Sequence, residues 1–592
     1  MSSHAGNDRS RTLYAVLAVT ALALAVRLVG LGARIFHWDE GRVGYWILRY
    51  HETGQYHYRP IVHGPFLFVV NNWVFSVLPP SDFSARLVVA VVGGLLPLTA
   101  WLLRDRLRDA EVVALALVFA VNPLLVYYSR FMRNDVLVGA FAFAALALFV
   151  RALDRGDALL VPAAGAALGL AFTAKENALV YLLCFLGAAA LLLDHRLFRV
   201  ARSERSVPRV VRSEWGPAVA DRLRRWGGSP LGGVGRAVAA VAAAAVAFLV
   251  VIVFFYAPRP EFWTALGAPA TLPGVAETAT LGTWEKFYDL WITGSHQGHG
   301  YLPFLYDYVE TLVFGAPFVL LFAVVGFVAD GYDADGSRGV VAFAAYGGVV
   351  SVLGYPVATD IRAPWVAVHA TVFFAVPAAV GLAAVYERVD PERLRAFVRD
   401  PLADRSMSAL PTLVAALVVL SAAVGVVGAN AAYMNSASDD TGQVLQWAQP
   451  SNDLKPTLEL VHGVARVNDE GPDVAFVGTT APGNADDVRF YVSDESSLRQ
   501  PPPGGPSWHT RLPIPWYLER DGATVTSTPP GNVSFGPDPP PVVIAASWNR
   551  SEVSRKLPGY RAYQHDFRLW SDEIVVFVDE SKLAEARRRG YV

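Results

Sequence analysis

Apolar runs about as long as a bilayer is thick recur through the first three quarters of this chain, and they restrict what it can fold into. They lie at 13–31, 84–103, 111–128, 135–150, 157–174, 177–193, 237–256, 304–328, 339–358, 364–385 and 410–431. A helix needs about 20 apolar residues to cross the hydrocarbon, and backbone in lipid must satisfy its own polar groups, so each run reads as a transmembrane helix. Eleven spans fit a 592-residue chain that is 53% apolar, more than a soluble globular protein carries. The first run lacks a small-residue cleavage site and reads as a retained span. Phe66–Leu78 is apolar over only 13 residues, is interrupted by Asn71 and Asn72 and ends at Pro79-Pro80. That length suits an interfacial or re-entrant helix.

Charge orients the spans. With the N-terminus inside and 66–78 not crossing, the inner loops are 104–110, 151–156, 194–236, 329–338 and 386–409, and the loop 194–236 holds ten arginines. The outer loops, 32–83, 129–134, 257–303 and 359–363, are poorer in Arg and Lys for their length, which is the positive-inside pattern. Letting 66–78 cross would invert every later loop. Beyond Ala431 the chain turns polar, with proline-rich breaks at 501–506 and 537–541. Short β-like runs stand at Asp473–Gly478, Val488–Val492, Val542–Ser547 and Glu573–Val578, and Leu458–Val467 is a candidate helix. The expected architecture is an α-helical polytopic membrane domain, 1–431, followed by a soluble α/β domain, 432–592, on the outer face. That domain holds two Asn-x-Ser acceptor triplets, at Asn532 and Asn549. The only cysteine, Cys184, excludes intrachain disulfides and cysteine metal clusters.

This orientation carries the chemistry-bearing residues to one side. Asp39 and Glu40 follow the first span; such carboxylates take a proton from an attacking hydroxyl or hold a divalent cation, against a plainer reading as solvated loop charges. His63 lies in the same long outer segment, in His63-Gly64-Pro65, and is a candidate contact for a phosphate-bearing substrate. Arg130, Arg133 and Asp135 crowd a junction of two spans, where Asp135 also suits a helix N-cap and the arginines also suit headgroups. Lys175, in the short turn Thr173–Asn177, is a candidate lipid-phosphate contact or a partner of Glu176. His296 and His299 form a His-x-x-His pair, a weak metal signal without companion ligands and a better phosphate contact. No glycine-rich phosphate loop or P-loop is present, so the expected substrate reaches the site through the bilayer with an anionic head. Nothing points to nucleic acid.

The order of these features resembles the GT-C superfamily of integral-membrane glycosyltransferases. It comprises a first span, an acidic pair, a His-x-Pro before a short apolar segment, Phe83-Ser84-Ala85-Arg86-Leu87 opening a span, Tyr128-Ser129-Arg130 through Asp135 opening another, and a lysine turn. Within that superfamily it resembles the branch of protein O-mannosyltransferases and aminoarabinose transferases, and an archaeal flippase-activity-associated N-glycosylation group. The resemblance covers about residues 10–385. It implies a polyprenyl- or dolichyl-phosphate-linked sugar as donor and a glycan or protein as acceptor. It implies Asp39, with Glu40 beside it, as base or metal ligand, and Asp135 as a second catalytic acid. Lys175, Arg130 or Arg133, and His296 or His299 would hold the lipid phosphate. Relatives often carry His-Pro-Pro or Glu-Lys-Pro where this chain has His63-Gly64-Pro65. The expected function is sugar transfer on the outer face. The alternatives are a non-catalytic flippase or flippase partner, which would show inverted repeats and midplane breaks absent from this sequence, and an anchor for the C-terminal domain.

Overall fold

The computed structural model describes residues 2–60, 63–203, 205–293, 298–333, 336–359, 361–399, 410–437, 444, 449–497, 505–567 and 572–592. It divides into two compact units: 1–30, 56–69 and 87–434 form the first, and 31–55, 70–86 and 435–592 the second.

The first unit is a helical bundle. Among the described residues, eight helices of the chain are long and apolar enough to cross a membrane, and a ninth span is formed if the pair Tyr301–Gly315 and Pro317–Gly331, bent by 92°, counts as one. The other two of the eleven expected runs are helical but shorter. The run 111–128 breaks at Asn122-Pro123, where proline supplies no N–H and the Asn122 side chain accepts from the Leu125 N–H at 3.1 Å, starting a second helix. Leu160–Ala174 has 15 residues, about 22 Å at the α-helical rise. Phe66–Phe75 is a ten-residue helix, short as its sequence requires.

Burial sorts the spans. The window of Pro364–Tyr386 is 89% buried, whereas Pro230–Tyr256 is 11% and Leu410–Tyr433 17% buried, so the first is the hub and the latter two offer apolar faces to lipid. Helix Ala367–Tyr386 and helix Pro317–Gly331 touch backbone to backbone. A Cβ on Gly326 would fall 1.9 Å from the Pro377 carbonyl oxygen, and one on Gly381 2.0 Å from that of Phe322. Small residues permit such approach where lipid gives helices no hydrophobic reason to associate.

The ends of this bundle differ in chemistry. At one end Arg106 pairs with Asp154, Arg151 and Arg155 with Asp105, and Arg338 with both Glu111 and Asp330. These arginines come from the loops expected inside, 104–110, 151–156 and 329–338. The opposite end holds the site described below.

The second unit is built on a five-stranded sheet of order β4-β1-β5-β7-β6, with β1 (Val474–Val477), β4 (Val525–Thr528), β5 (Val542–Ala546), β6 (Tyr560–Asp566) and β7 (Glu573–Asp579). Strand β1 is parallel to β4 and β5, while β7 runs antiparallel to β5 and β6. The central strands β1 and β5 are buried along their whole length, as apolar strands covered on both faces must be. A separate hairpin joins β2 (Thr479–Ala481) to β3 (Asn484–Arg489), so the expected strand at 488–492 begins earlier and ends earlier. Residues 31–55 and 70–86 belong to this unit, although the sequence-based division at 431/432 grouped them with the spans. Phe36 stacks on Trp516 at 4.8 Å, the Asp82 carboxylate accepts from Tyr517 and Lys455 at 3.2 and 2.7 Å, and Arg49 pairs with Glu519 at 2.6 Å.

Candidate active site

Five helix ends meet around Asp135. It opens helix Asp135–Arg155, Lys175 directly follows Leu160–Ala174, Tyr181 lies in the first turn of Ala178–Arg202, Tyr355 is near the end of Gly339–Ala358 and His369 is in the first turn of Ala367–Tyr386. Asp135 does not serve as an N-cap: Asn134 holds that position and makes no side-chain cap. Its carboxylate instead accepts from Lys175 Nζ at 3.1 Å and Arg133 Nε at 3.5 Å, and His369 Nε2 stands 3.5 Å away. The side chains of Asp135 and Arg133 are 2% and 6% exposed. Arg133 lies 3.8 Å over the Trp365 ring, a cation–π placement that helps hold the guanidinium beside the carboxylate. His369 is fixed by Tyr181, whose hydroxyl is 3.1 Å from Nδ1, and by stacking on Tyr355 at 4.6 Å. Two cations thus share one carboxylate, which leaves excess positive charge before His369 is counted. An anion is the natural complement of such a site.

His63 and Glu176 flank it. The buried Glu176 carboxylate accepts a short hydrogen bond from the Tyr58 hydroxyl, and His63 Nδ1 lies 3.9 Å from its other oxygen. The expected Lys175–Glu176 pair is therefore not the arrangement found: lysine turns to Asp135 and glutamate to Tyr58. His63 has φ +67°, a left-handed conformation uncommon outside glycine and often kept where a site requires it. Its neighbour Gly64 donates to the Ala174 carbonyl at 3.2 Å, and a Cβ there would fall 2.2 Å from the Thr173 carbonyl oxygen. Glycine in His63-Gly64-Pro65 thus lets this segment lie directly on the lysine turn. The segment is also tied to the loop 257–303, through the backbone pair of Tyr56 with Arg259 and through Trp291, whose ring lies parallel to His63 at 6.5 Å.

Burial pushes the Glu176 carboxyl from its ordinary 4.5 up to about 7, against the Tyr58 hydrogen bond and the charge of Lys175. Below about 7 the group is neutral and the site keeps its excess positive charge; above it the carboxylate cancels that excess. Anion binding is expected to weaken as pH rises through about 7. His63 Nδ1 faces the same carboxyl, so Glu176→Gln removes the titrating carboxyl while leaving the histidine in place. Titrations of dolichyl phosphate should show a flatter pH dependence in the variant, and equal slopes would remove Glu176 as its source.

The remaining candidates take other places. Arg130, expected at the phosphate, donates to the carbonyls of Val26, Arg27, Val29 and Gly30 at 2.8–3.1 Å and so caps the C-terminal end of helix Ser2–Leu28. A guanidinium there meets the helix's orphaned carbonyls and the negative end of its dipole. His299 Nε2 lies 2.7 Å from the Thr359 carbonyl oxygen, and no described contact joins it to Asp135 or Lys175. His296 falls outside the described residues.

Asp39 and Glu40 lie in the second unit, in the first turn of helix Trp38–Thr53. The His37 ring accepts the Asp39 N–H at 3.0 Å while Glu40 Oε2 accepts the His37 N–H at 3.0 Å, a reciprocal cap. Glu40 and Arg86 are both fully buried and joined by two hydrogen bonds of 2.7 Å. Burial alone would raise the Glu40 carboxyl, but the Arg86 guanidinium wins and holds it below its ordinary value. Both Glu40 oxygens are thus taken, and among the described residues no three of His, Cys, Asp and Glu come together. The donor set at Asp39 and Glu40 does not fit the divalent cation expected there. Asp39 is half-buried, its carboxylate 28% exposed and 3.8 Å from His37 Nδ1.

His369 and the Tyr58–Glu176 pair were not among the residues singled out from sequence. His369 did have a signal: it is an ionisable side chain inside an apolar run, where such groups are costly and usually functional. The sequence offers Glu176 only as an ion-pair partner for Lys175.

Residues 62–205 match the family model described as dolichyl-phosphate-mannose-protein mannosyltransferase, and residues 454–579 the model described as Agl23 flippase-associated protein C-terminal domain. No curated protein sequence matches the chain. Among solved structures it is similar to ArnT from Cupriavidus metallidurans. In the apo state this aligns at 14% identity and TM-score 0.52, over 95% of this chain and 97% of that one. The form bound to undecaprenyl phosphate aligns at 14% identity and TM-score 0.53, over the same shares of both chains. The oligosaccharyltransferase of Archaeoglobus fulgidus aligns at 13% identity and TM-score 0.47, over 87% of this chain and 64% of that one. With its bundle of spans and its sheet-containing C-terminal region, the chain is a multi-span membrane protein that shares its fold with ArnT and carries, at 62–205 and 454–579, regions matching these two family models.

Proposed function

We propose that this protein transfers a sugar from a polyprenyl- or dolichyl-phosphate carrier to an acceptor on the outer face of the cell membrane, in protein glycosylation. The observation that carries this reading is the Lys175–Asp135–Arg133 cluster, with His369, at one end of the helices: a cationic site where a lipid phosphate's charge is met. The undecaprenyl phosphate bound to the ArnT of similar fold supports that choice of ligand. In transfer, the bond from the sugar's anomeric carbon to the phosphate oxygen breaks and a bond to the acceptor's oxygen forms. The phosphate departs with the electron pair, and Lys175 and Arg133 stabilise the charge that grows there. Asp39 is the candidate base for the acceptor's proton, with Glu40 and Arg86 fixing the helix start that presents it. In this reading the N-terminus is cytoplasmic and residues 432–592 are extracellular.

Asp39→Asn keeps the shape and removes the base. Cells carrying it are expected to lose the transferred sugar from their surface glycoproteins, while the purified variant still binds dolichyl phosphate. An unchanged glycan, read by mass spectrometry, would count against the assignment. The flippase-associated name of the family matching 454–579 favours a second reading, in which the protein assists translocation of a lipid-linked sugar. Flipping by the purified protein in vesicles, with no transfer to any acceptor, would establish it.

A further inference from the structure

Two Asn-x-Ser triplets lie in the second unit, and the fold treats them differently. Asn532-Val533-Ser534 lies in the irregular segment between β4 and β5, just after Gly531, whose φ is +77°, and the Ser534 N–H donates to the Asn532 carbonyl at 3.1 Å, a tight turn centred on Val533. Val533 is 4% exposed and packs into the core under the sheet with Val543, Val553 and Phe577. The Lys556 ammonium donates to the Val533 carbonyl and pins it there. Asn532 and Ser534 are both exposed. With the valine side chain buried at the centre of that turn, the asparagine amide and the serine hydroxyl on either side of it are both left at the surface. Asn549-Arg550-Ser551 runs into the first turn of helix Arg550–Lys556. Asn549 is half-buried, with its Oδ1 enclosed. On a helix, residues two apart point about 200° from each other and do not share a face. An enzyme that must hold the amide and the hydroxyl at once can engage the first triplet as it stands and must unwind the second.

We propose that Asn532 is a glycosylation site of this protein and that Asn549 is not. The modification needs a lipid-phosphate-linked glycan and an asparagine-directed oligosaccharyl transferase of the host. The bond from the glycan's anomeric carbon to the lipid phosphate breaks and a bond from that carbon to Asn532 Nδ2 forms. The lipid phosphate leaves with the electron pair, and the amide proton passes to a base of the transferase. The proposal rests on the placement of the second unit outside the cell.

The test is mass spectrometry of the full chain purified from its native membrane. Chymotryptic cleavage after Phe535 separates the two triplets. The peptide with Asn532 is expected to carry added sugar mass and the peptide with Asn549 none. Asn532→Gln and Ser534→Ala should each abolish the addition, and Ser534→Thr should keep it. An Asn532 peptide recovered wholly unmodified, or sugar on Asn549 instead, overturns the proposal. A membrane-impermeant maleimide applied to intact cells carrying Asp538→Cys separates the causes of failure, because the native Cys184 is buried. Labelling with a bare Asn532 overturns the proposal alone; absence of labelling overturns the outward placement too.

Discussion

Replacing Lys175 with alanine is expected to lower sugar transfer by about 100- to 1,000-fold, the usual loss when one preorganised group facing developing charge is removed. Lys175 stands at the end of a helix with its ammonium 3.1 Å from Asp135 and its side chain 12% exposed. Water contributes little screening there, and a lost charge is felt strongly. Asp135 would keep Arg133 and His369 nearby, so the bundle should stay folded. Lys175→Arg restores the charge with a different shape and should recover part of the rate. The measurement is transfer from a dolichyl-phosphate-linked sugar by purified protein, with kcat and KM for the acceptor determined separately. A loss in kcat at a nearly unchanged acceptor KM marks a phosphate-side role; a change within about threefold would remove Lys175 from the mechanism.

The second large effect concerns stability. Arg86→Leu leaves Glu40 buried without its guanidinium, and breaking one side of a buried pair costs about 3–5 kcal/mol. The double variant Glu40→Leu/Arg86→Leu removes both charges and should recover most of that loss, since apolar replacement of a whole buried pair is often close to neutral. Arg86 also donates to the carbonyls of Leu31, Arg34 and Ile35 at 2.8–3.2 Å, so recovery should stop short of complete. Thermal unfolding followed by tryptophan fluorescence reads both, because Trp516 packs on Phe36 beside this pair. A double variant no more stable than the single one would show that the carbonyl contacts, not the ion pair, hold the segment.

Local chemistry was what the sequence made legible. Apolar length revealed the spans, and a shortfall in length revealed 66–75. Charge sorting anticipated that Arg106, Arg151 and Arg338 collect at one end of the bundle and Asp135, Lys175 and His63 at the other. What depends on long-range geometry was not legible. Arg130 and Arg133 are three residues apart and look alike in sequence, yet one caps a helix and the other reaches Asp135. Glu40 looked like a twin of Asp39 until Arg86, from 46 residues away, took both its oxygens. Strands β4 and β6 carry polar and half-buried residues at the sheet edges, so they lack the apolar run that revealed β1, β5 and β7. The membership of 31–55 and 70–86 in the second unit follows from aromatic packing on Trp516 and Tyr517, which no local pattern announces.

Binding of dolichyl phosphate against dolichol to the purified full chain tests the phosphate site most directly. The wild type should prefer the phosphate strongly, and Lys175→Ala should lose most of that preference while still binding the isoprenoid tail. Equal affinity of the wild type for the two lipids, or a preference indifferent to Lys175, would contradict the assignment of this cationic cluster to a lipid phosphate.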